Sequence, residues 1–149
     1  MQFLKKNYLV ILFVIIIGVI TYDYFFRQDF RKNYKKSGQY AIGTIHGIKW
    51  YGRGTGYYYL YTFKVDDKEY KGKSDASLSF SDAPQNIDKR FLVLYLKNNI
   101  HNNVLYTTIP VNDSMKNNSE LEKWVLNHPE IKPKLDSIPG TGLFFENYF

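Results

Sequence analysis

The chain has 149 residues, a formal net charge of +6, 18% aromatic residues and no cysteine. The lack of cysteine excludes disulfides and thiolate metal sites. Residues 1–36 hold seven basic and two acidic side chains, whereas the other 113 hold thirteen and twelve. The basicity therefore belongs to the N-terminal quarter, which argues against a nucleic-acid groove on a folded domain.

Residues Tyr8 to Tyr22 carry no charge, and the run to Phe26 contains only Asp23. A bilayer core needs about 20 mostly apolar residues in a helix, so residues 8–26 are expected to enter the lipid bilayer and 1–26 to form an anchor helix. Lys5 and Lys6 can snorkel to headgroups on one side. Tyr22, Tyr24, Phe25 and Phe26 form an aromatic girdle on the other. A cleaved signal peptide would need a small-x-small site after the apolar core. Here Thr-Tyr-Asp-Tyr-Phe-Phe-Arg follows instead, so an uncleaved anchor is expected.

Residues 27–38 are polar and read as a basic juxtamembrane linker or a helix extension, with Gly38 as its stop. Arg27, Arg31, Lys32, Lys35 and Lys36 suit anionic lipid headgroups. Their excess over Lys5 and Lys6 favours a cytoplasmic domain under the positive-inside rule. Residues 1–36 are expected to serve membrane retention and not the folding of the rest.

Strand signals begin at Gln39, and residues 39–111 are expected to form a small β-barrel-like domain. The segment Tyr40–Tyr51 alternates Ala41, Gly43, Ile45 and Gly47 against Tyr40, Ile42, Thr44, His46, Ile48 and Trp50. Its glycines mark bends or bulges that let a sheet curl. Gly52–Gly56 reads as a hairpin loop. Tyr57–Val65 has a period of two: Tyr57, Tyr59, Tyr61, Phe63 and Val65 share one face, and Tyr58, Leu60, Thr62 and Lys64 the other. Asp66-Asp67 is a turn, and Glu69–Ser77 a third strand. Residues 79–89 read as a loop with Pro84. Arg90–Leu96 is an apolar run of strand length, expected to be buried on both faces. Asn98–Asn103 reads as a turn cluster, and Val104–Val111 as an edge-like fifth strand ending near Pro110.

Residues 112–149 change pattern. Ser119-Glu-Leu-Glu122 has capping-box form with Ser119 as the cap. Leu121, Trp124 and Val125 share a helical face, and Pro129 ends the helix. Residues 130–149 read as irregular. The tail, with Leu143, Phe144, Phe145, Tyr148 and Phe149, is expected to pack on the barrel or on a partner. The fold class is thus mainly β: one N-terminal transmembrane helix, a five-stranded antiparallel barrel-like domain and one short C-terminal helix.

Ala41/Gly43/Ile45, the Gly52–Gly56 hairpin, Tyr59/Tyr61/Phe63, Tyr70/Gly72, and Phe91/Val93/Tyr95 before Asn98–Asn103 form a loose pattern over residues 40–106. It resembles a bacterial family of unknown function with one or two membrane helices and a small all-β domain. The resemblance implies a fold and a membrane setting, with the domain outside the cell, against the charge rule. It carries over no catalytic residue. The chain departs from it in lacking an Asn-Pro after the last core strand and a second membrane helix, and in adding the helix and aromatic tail.

No catalytic constellation emerges. His46, His101 and His128 lack metal-ligand spacing, so no metal and no cofactor are expected. Gly52-Arg-Gly-Thr-Gly56 lacks the Lys-Ser/Thr ending of a phosphate loop. Arg53 among Trp50, Tyr51 and Tyr57 has the composition of a protein interface. The tyrosine ladder could stack single-stranded nucleic acid, but the nearly neutral domain argues against it. The expected function is a membrane-anchored protein-binding or scaffolding module, such as an immunity protein or envelope-complex subunit, and not an enzyme. The alternative is a small-ligand receptor or enzyme using an aromatic barrel mouth.

Overall fold

A computed structural model describes residues 2–50, 56–76 and 82–139, the side chains of residues 2–6 and Trp50 excepted. Helix α1 (Gln2–Ser37) runs straight into strand β1 (Gly38–Trp50). Strands β2 (Tyr57–Val65), β3 (Lys68–Asp75), β4 (Arg90–Leu96) and β5 (Asn99–Pro110) follow, then helices α2 (Asn118–Asn127) and α3 (Lys132–Asp136). The five strands form one antiparallel sheet in the order β3-β2-β1-β4-β5, curled into a half-barrel. The aromatic tail expected to pack on the barrel lies outside the described residues.

The concave face holds the aromatic ladder. Tyr57, Tyr59, Tyr61, Phe63 and Val65 are all buried, as the period of two predicts. They meet Ala41, Ile45, Phe91, Val93, Tyr95 and Leu105 from the other strands. The edges β3 and β5 approach each other through side chains. The Tyr61 hydroxyl donates to Asn103 Oδ1 at 2.6 Å, and Ser74 Oγ donates to the Leu105 carbonyl at 3.4 Å. Gly72 permits this approach, because a Cβ there would collide with the Tyr61 ring and Asn103. Burial pushes the Tyr61 hydroxyl well above its ordinary pKa, so it stays a protonated donor.

The convex face is covered on one half only. Leu92, Leu94 and Leu96 of β4 and Val104, Tyr106 and Ile109 of β5 pack under Phe30 of α1, Leu121 and Val125 of α2, and Leu135 of α3. Strand β4 is therefore buried on both faces, as its continuous apolar run predicts. The Tyr106 hydroxyl donates to the Leu135 carbonyl at 2.8 Å, tying α3 to β5.

Several expectations are corrected. Of the two alternatives for the basic stretch 27–38, the helix extension holds and the separate linker does not: it is helical to Ser37 and stops at Gly38, and Phe30 is 1% exposed, with Phe26 and Tyr34 packed beside it. These residues sit at i, i+4 and i+8, so one face of the helix belongs to the domain core. The idea that residues 1–36 do not contribute to folding fails on that packing. Asn98–Asn103 is not a turn: the turn is Lys97-Asn98, and β5 starts at Asn99. Asn103 is buried because its side chain serves Tyr61 and the carbonyls of Ile100 and His101. The α2 cap is Asn117, not Ser119. Its side chain accepts from Glu120 N, and Glu120 in turn accepts from Lys116 N and Asn117 Nδ2. The capping box thus falls two residues earlier, on Asn117 and Glu120. Residues 130–136, expected to be irregular, extend a 3₁₀ turn into α3, with Pro133 in the first turn.

Asp66 and Asp67 form a two-residue hairpin turn, both with positive φ (49° and 62°), closed by the Val65–Lys68 pair. That is the turn that matches strand twist.

Candidate functional site

Of the four interface residues expected from sequence, the structure describes the side chain of one. Tyr57 is 2% exposed and lies in the concave cluster. Trp50 pairs with Tyr57 in backbone register. Tyr51 and Arg53 lie outside the described residues. The concave interior is filled by aromatic rings: Tyr59, Tyr61 and Phe63 are among the largest fully buried side chains.

The polar groups that converge do so on the convex face of β1 and β2, at the border of the helical cover, where the start of α2 meets the sheet. The feature that places them is a β-bulge. Pairing of β1 with β2 runs in phase to Ile45↔Tyr61 and resumes at Gly47↔Leu60, so His46 is the extra residue. The shift reverses the alternation predicted for this strand. Beyond it Ile48 packs on the concave cluster, opposite Tyr59. His46 stays on the convex side, exposed, with Nε2 2.6 Å from Thr62 Oγ1. Bulges commonly re-aim a side chain in this way.

A second irregularity lies one turn of the strand away. At the end of the β1–β2 ladder, Ile42 N and the Lys64 carbonyl have no partner strand between them. Asn118 supplies both missing bonds: its Oδ1 accepts from Ile42 N at 3.2 Å and its Nδ2 donates to the Lys64 carbonyl at 2.8 Å. The start of α2 is thereby fixed against the sheet. Arg90 fastens the preceding loop by donating to the carbonyls of Asp113 (3.1 Å) and Met115 (2.5 Å).

Between sheet and loop lies an open groove of about 340 Å³. Ile42, Thr44 and Thr62 lie along the strands, with His46, Lys64, Arg90 and Lys116 around them and Glu69 as the acidic member. Lys64 faces Glu69 across the β2–β3 register. Among the described residues neither Lys64 nor Lys116 closes an ion pair. Arg90 is 3.8 Å from the carboxylate of Asp113, which is itself almost fully exposed. The sequence reading missed this groove. Its one sequence signal is the glycine following His46, which marks a bulge.

A second cluster fastens α1 to α3. The Tyr34 hydroxyl donates to Asp136 Oδ1 at 2.6 Å, and Lys35 Nζ lies 3.0 Å from the same oxygen. These bonds hold the Asp136 carboxyl below its ordinary pKa, the Tyr34 bond contributing most. Of the five cations expected to meet headgroups, Arg27 is paired with Asp23 at 2.6 Å and Lys35 with Asp136. Arg31, Lys32 and Lys36 are exposed.

The other histidines serve locally. His101 packs edge-on against Tyr70, and His128 Nδ1 lies 2.7 Å from the Trp124 carbonyl at the end of α2. Among the described residues no three His, Asp or Glu side chains gather as metal ligands would.

α1 contains the one described helix long and apolar enough to cross a membrane. Only 6% of its most apolar stretch is buried against the protein. In comparisons with known proteins, the chain matches no family model, no curated protein and no solved structure.

Proposed function

We propose that this protein is a single-pass binding or scaffolding module of the bacterial cytoplasmic membrane, its half-barrel held at the bilayer surface by α1. The observation that carries this reading is the continuity of α1. Most of the large apolar side chains from Tyr8 to Phe25, Ile11 and Val19 excepted, are about half exposed or more. The next residue, Phe26, packs on the domain core, and Phe30, one turn further on, enters it. An apolar helix rigidly joined to the core suits a permanent anchor better than a removable leader. It would also hold the domain beside the bilayer surface, where the exposed Arg31, Lys32 and Lys36 can meet anionic lipid.

Protein binding is favoured over small-molecule chemistry because the aromatic interior is filled, whereas ligand pockets are concave and open. The barrel-mouth receptor or enzyme therefore has less support. Nucleic acid is disfavoured because the ladder tyrosines point inward, away from any base that could stack on them.

The test uses the full-length protein in its native membrane. It should stay in the membrane pellet after an alkaline wash, with an intact N-terminus. Purified in mild detergent, it should retain a co-eluting protein chain in fixed ratio. Recovery in the soluble fraction with a shortened N-terminus would overturn the anchor. Retention in the pellet with no co-eluting chain would overturn the binding module.

A further inference from the structure

We propose that the groove at the His46 bulge is the docking site for an acidic segment of a partner protein. The inference rests on the binding-module reading and names the surface and its chemistry.

Three observations carry it. The first is charge. Lys64, Arg90 and Lys116 surround the groove, and Lys49, Lys71 and Lys73 continue the same convex face along β1 and β3. Among the described residues, the acids on or beside this surface are Glu69, Asp75, Asp113 and Glu120, so the cations outnumber them six to four. The described domain is otherwise close to neutral, which makes this a local excess rather than a general one. Complementary charge of this kind steers and orients a partner.

The second observation is preorganisation. Asn118 replaces a rung of the sheet, and Arg90 pins the loop through two carbonyls. Glu120 closes the start of α2 from within, so this helix end is already satisfied and is not itself the anion site. The walls are thus fixed before a partner arrives, which lowers the ordering cost of binding.

The third is the type of group presented. Thr44, Thr62 and His46 offer short hydrogen-bonding side chains between the lysines, over the apolar Ile42. Carboxylates on an extended chain can use both. Among the described residues this surface has no base-stacking platform, since of the β2 aromatics only Tyr58 lies on the convex side. The β1 residues that line the groove, Ile42, Thr44 and His46, follow the end of α1 at Ser37 along the same strand.

The test measures binding of a fluorescein-labelled poly-glutamate peptide to the full-length protein in zwitterionic detergent. Lys64→Glu combined with Lys116→Glu should weaken binding about tenfold or more. Lys97→Glu combined with Lys123→Glu changes the net charge equally at exposed sites outside the groove and should leave affinity within about twofold of wild type. Both pairs are exposed, so the thermal midpoint should stay unchanged and confirm folding. Equal weakening by both pairs, or no binding by wild type, would overturn the proposal. So would anionic vesicles or a single-stranded oligonucleotide that depends on the groove pair when the peptide does not. If the peptide test fails while wild type still retains its co-eluting chain, the binding-module reading stands and the groove assignment falls.

Discussion

The two halves of the sheet follow different rules. β4 and β5 are covered on both faces, by the aromatic ladder on the concave side and by α1, α2 and α3 on the convex side. β2 and β3 are covered on the concave side alone, and their convex face carries lysines, threonines and half-exposed apolar groups. The covered half buries apolar side chains on both of its faces. The open half leaves its convex surface uncovered, and its irregularities, the His46 bulge and the Asn118 rung, cost regular pairing where the polar groups converge. A domain of this size has one small core, so stabilising one half heavily leaves the other freer to vary.

The sharpest way to break the comparison is to remove the wedge under α1. Phe30→Ala should destabilise the full-length protein by about 3–5 kcal/mol, the usual cost for a buried Phe. Leu60→Ala, on the open half, should cost less than about 1.5 kcal/mol because Leu60 is only half buried. Denaturant midpoints in detergent would measure both. Equal losses would show that α1 is not part of the core and that the two halves share the load.

The seam between β3 and β5 is the next point of attack. Gly72→Ala places a methyl group against the Tyr61 ring and Asn103, neither of which has room to yield. We expect about 1–3 kcal/mol of destabilisation from overpacking. Hydrogen exchange should report faster opening at β3 and β5 than at β1. An unchanged exchange pattern would mean that the half-barrel does not depend on this contact.

Asn118→Ala should cost about 1–2 kcal/mol, since it leaves Ile42 N and the Lys64 carbonyl without partners next to solvent. The loss belongs to the open half. Amide exchange should rise at Ile42 and stay unchanged at Leu94. A rise at both would mean that the two faces unfold together.

How far the sequence foretold this comparison depends on the range of the interactions. The period of two in Tyr57–Val65 and the unbroken run Phe91–Leu96 are local patterns, and each correctly marks one or two buried faces. The Asp66-Asp67 turn is also local. Asn103 was misread because the partner that makes its burial tolerable, Tyr61, lies 42 residues away. The α2 cap slipped by two because Asn117 and Ser119 are both good caps. The choice between them is made by Asn118, which only as the first residue of the helix reaches the sheet. The groove was hidden for the same reason. His46, Lys64, Arg90 and Asn118 come from separate segments, and none carries a motif. The continuity of α1 was half visible: the sequence allows helix to Ser37, but Phe30 shows its role only once β4 and β5 lie beneath it.

The smallest effect sharpens the comparison from the covered side. Asp136 holds α3 to α1 by accepting from Tyr34 and pairing with Lys35, and its pKa in the folded protein is lowered by those bonds. A depressed carboxyl stabilises the fold fully above its unfolded pKa, and the contribution is lost as the pH falls through the lowered folded value. The group is exposed, so the change is modest and screened by salt. Acidification should therefore lower the melting temperature of wild type more than that of Asp136→Asn, whose amide does not titrate in this range. Exchange at α3 and the end of α1 should quicken first, with β2 and β3 unaffected. If wild type and Asp136→Asn lose stability in parallel across the acid range, the clasp between α1 and α3 contributes nothing to the covered half, and Phe30 alone fixes the helix to the domain.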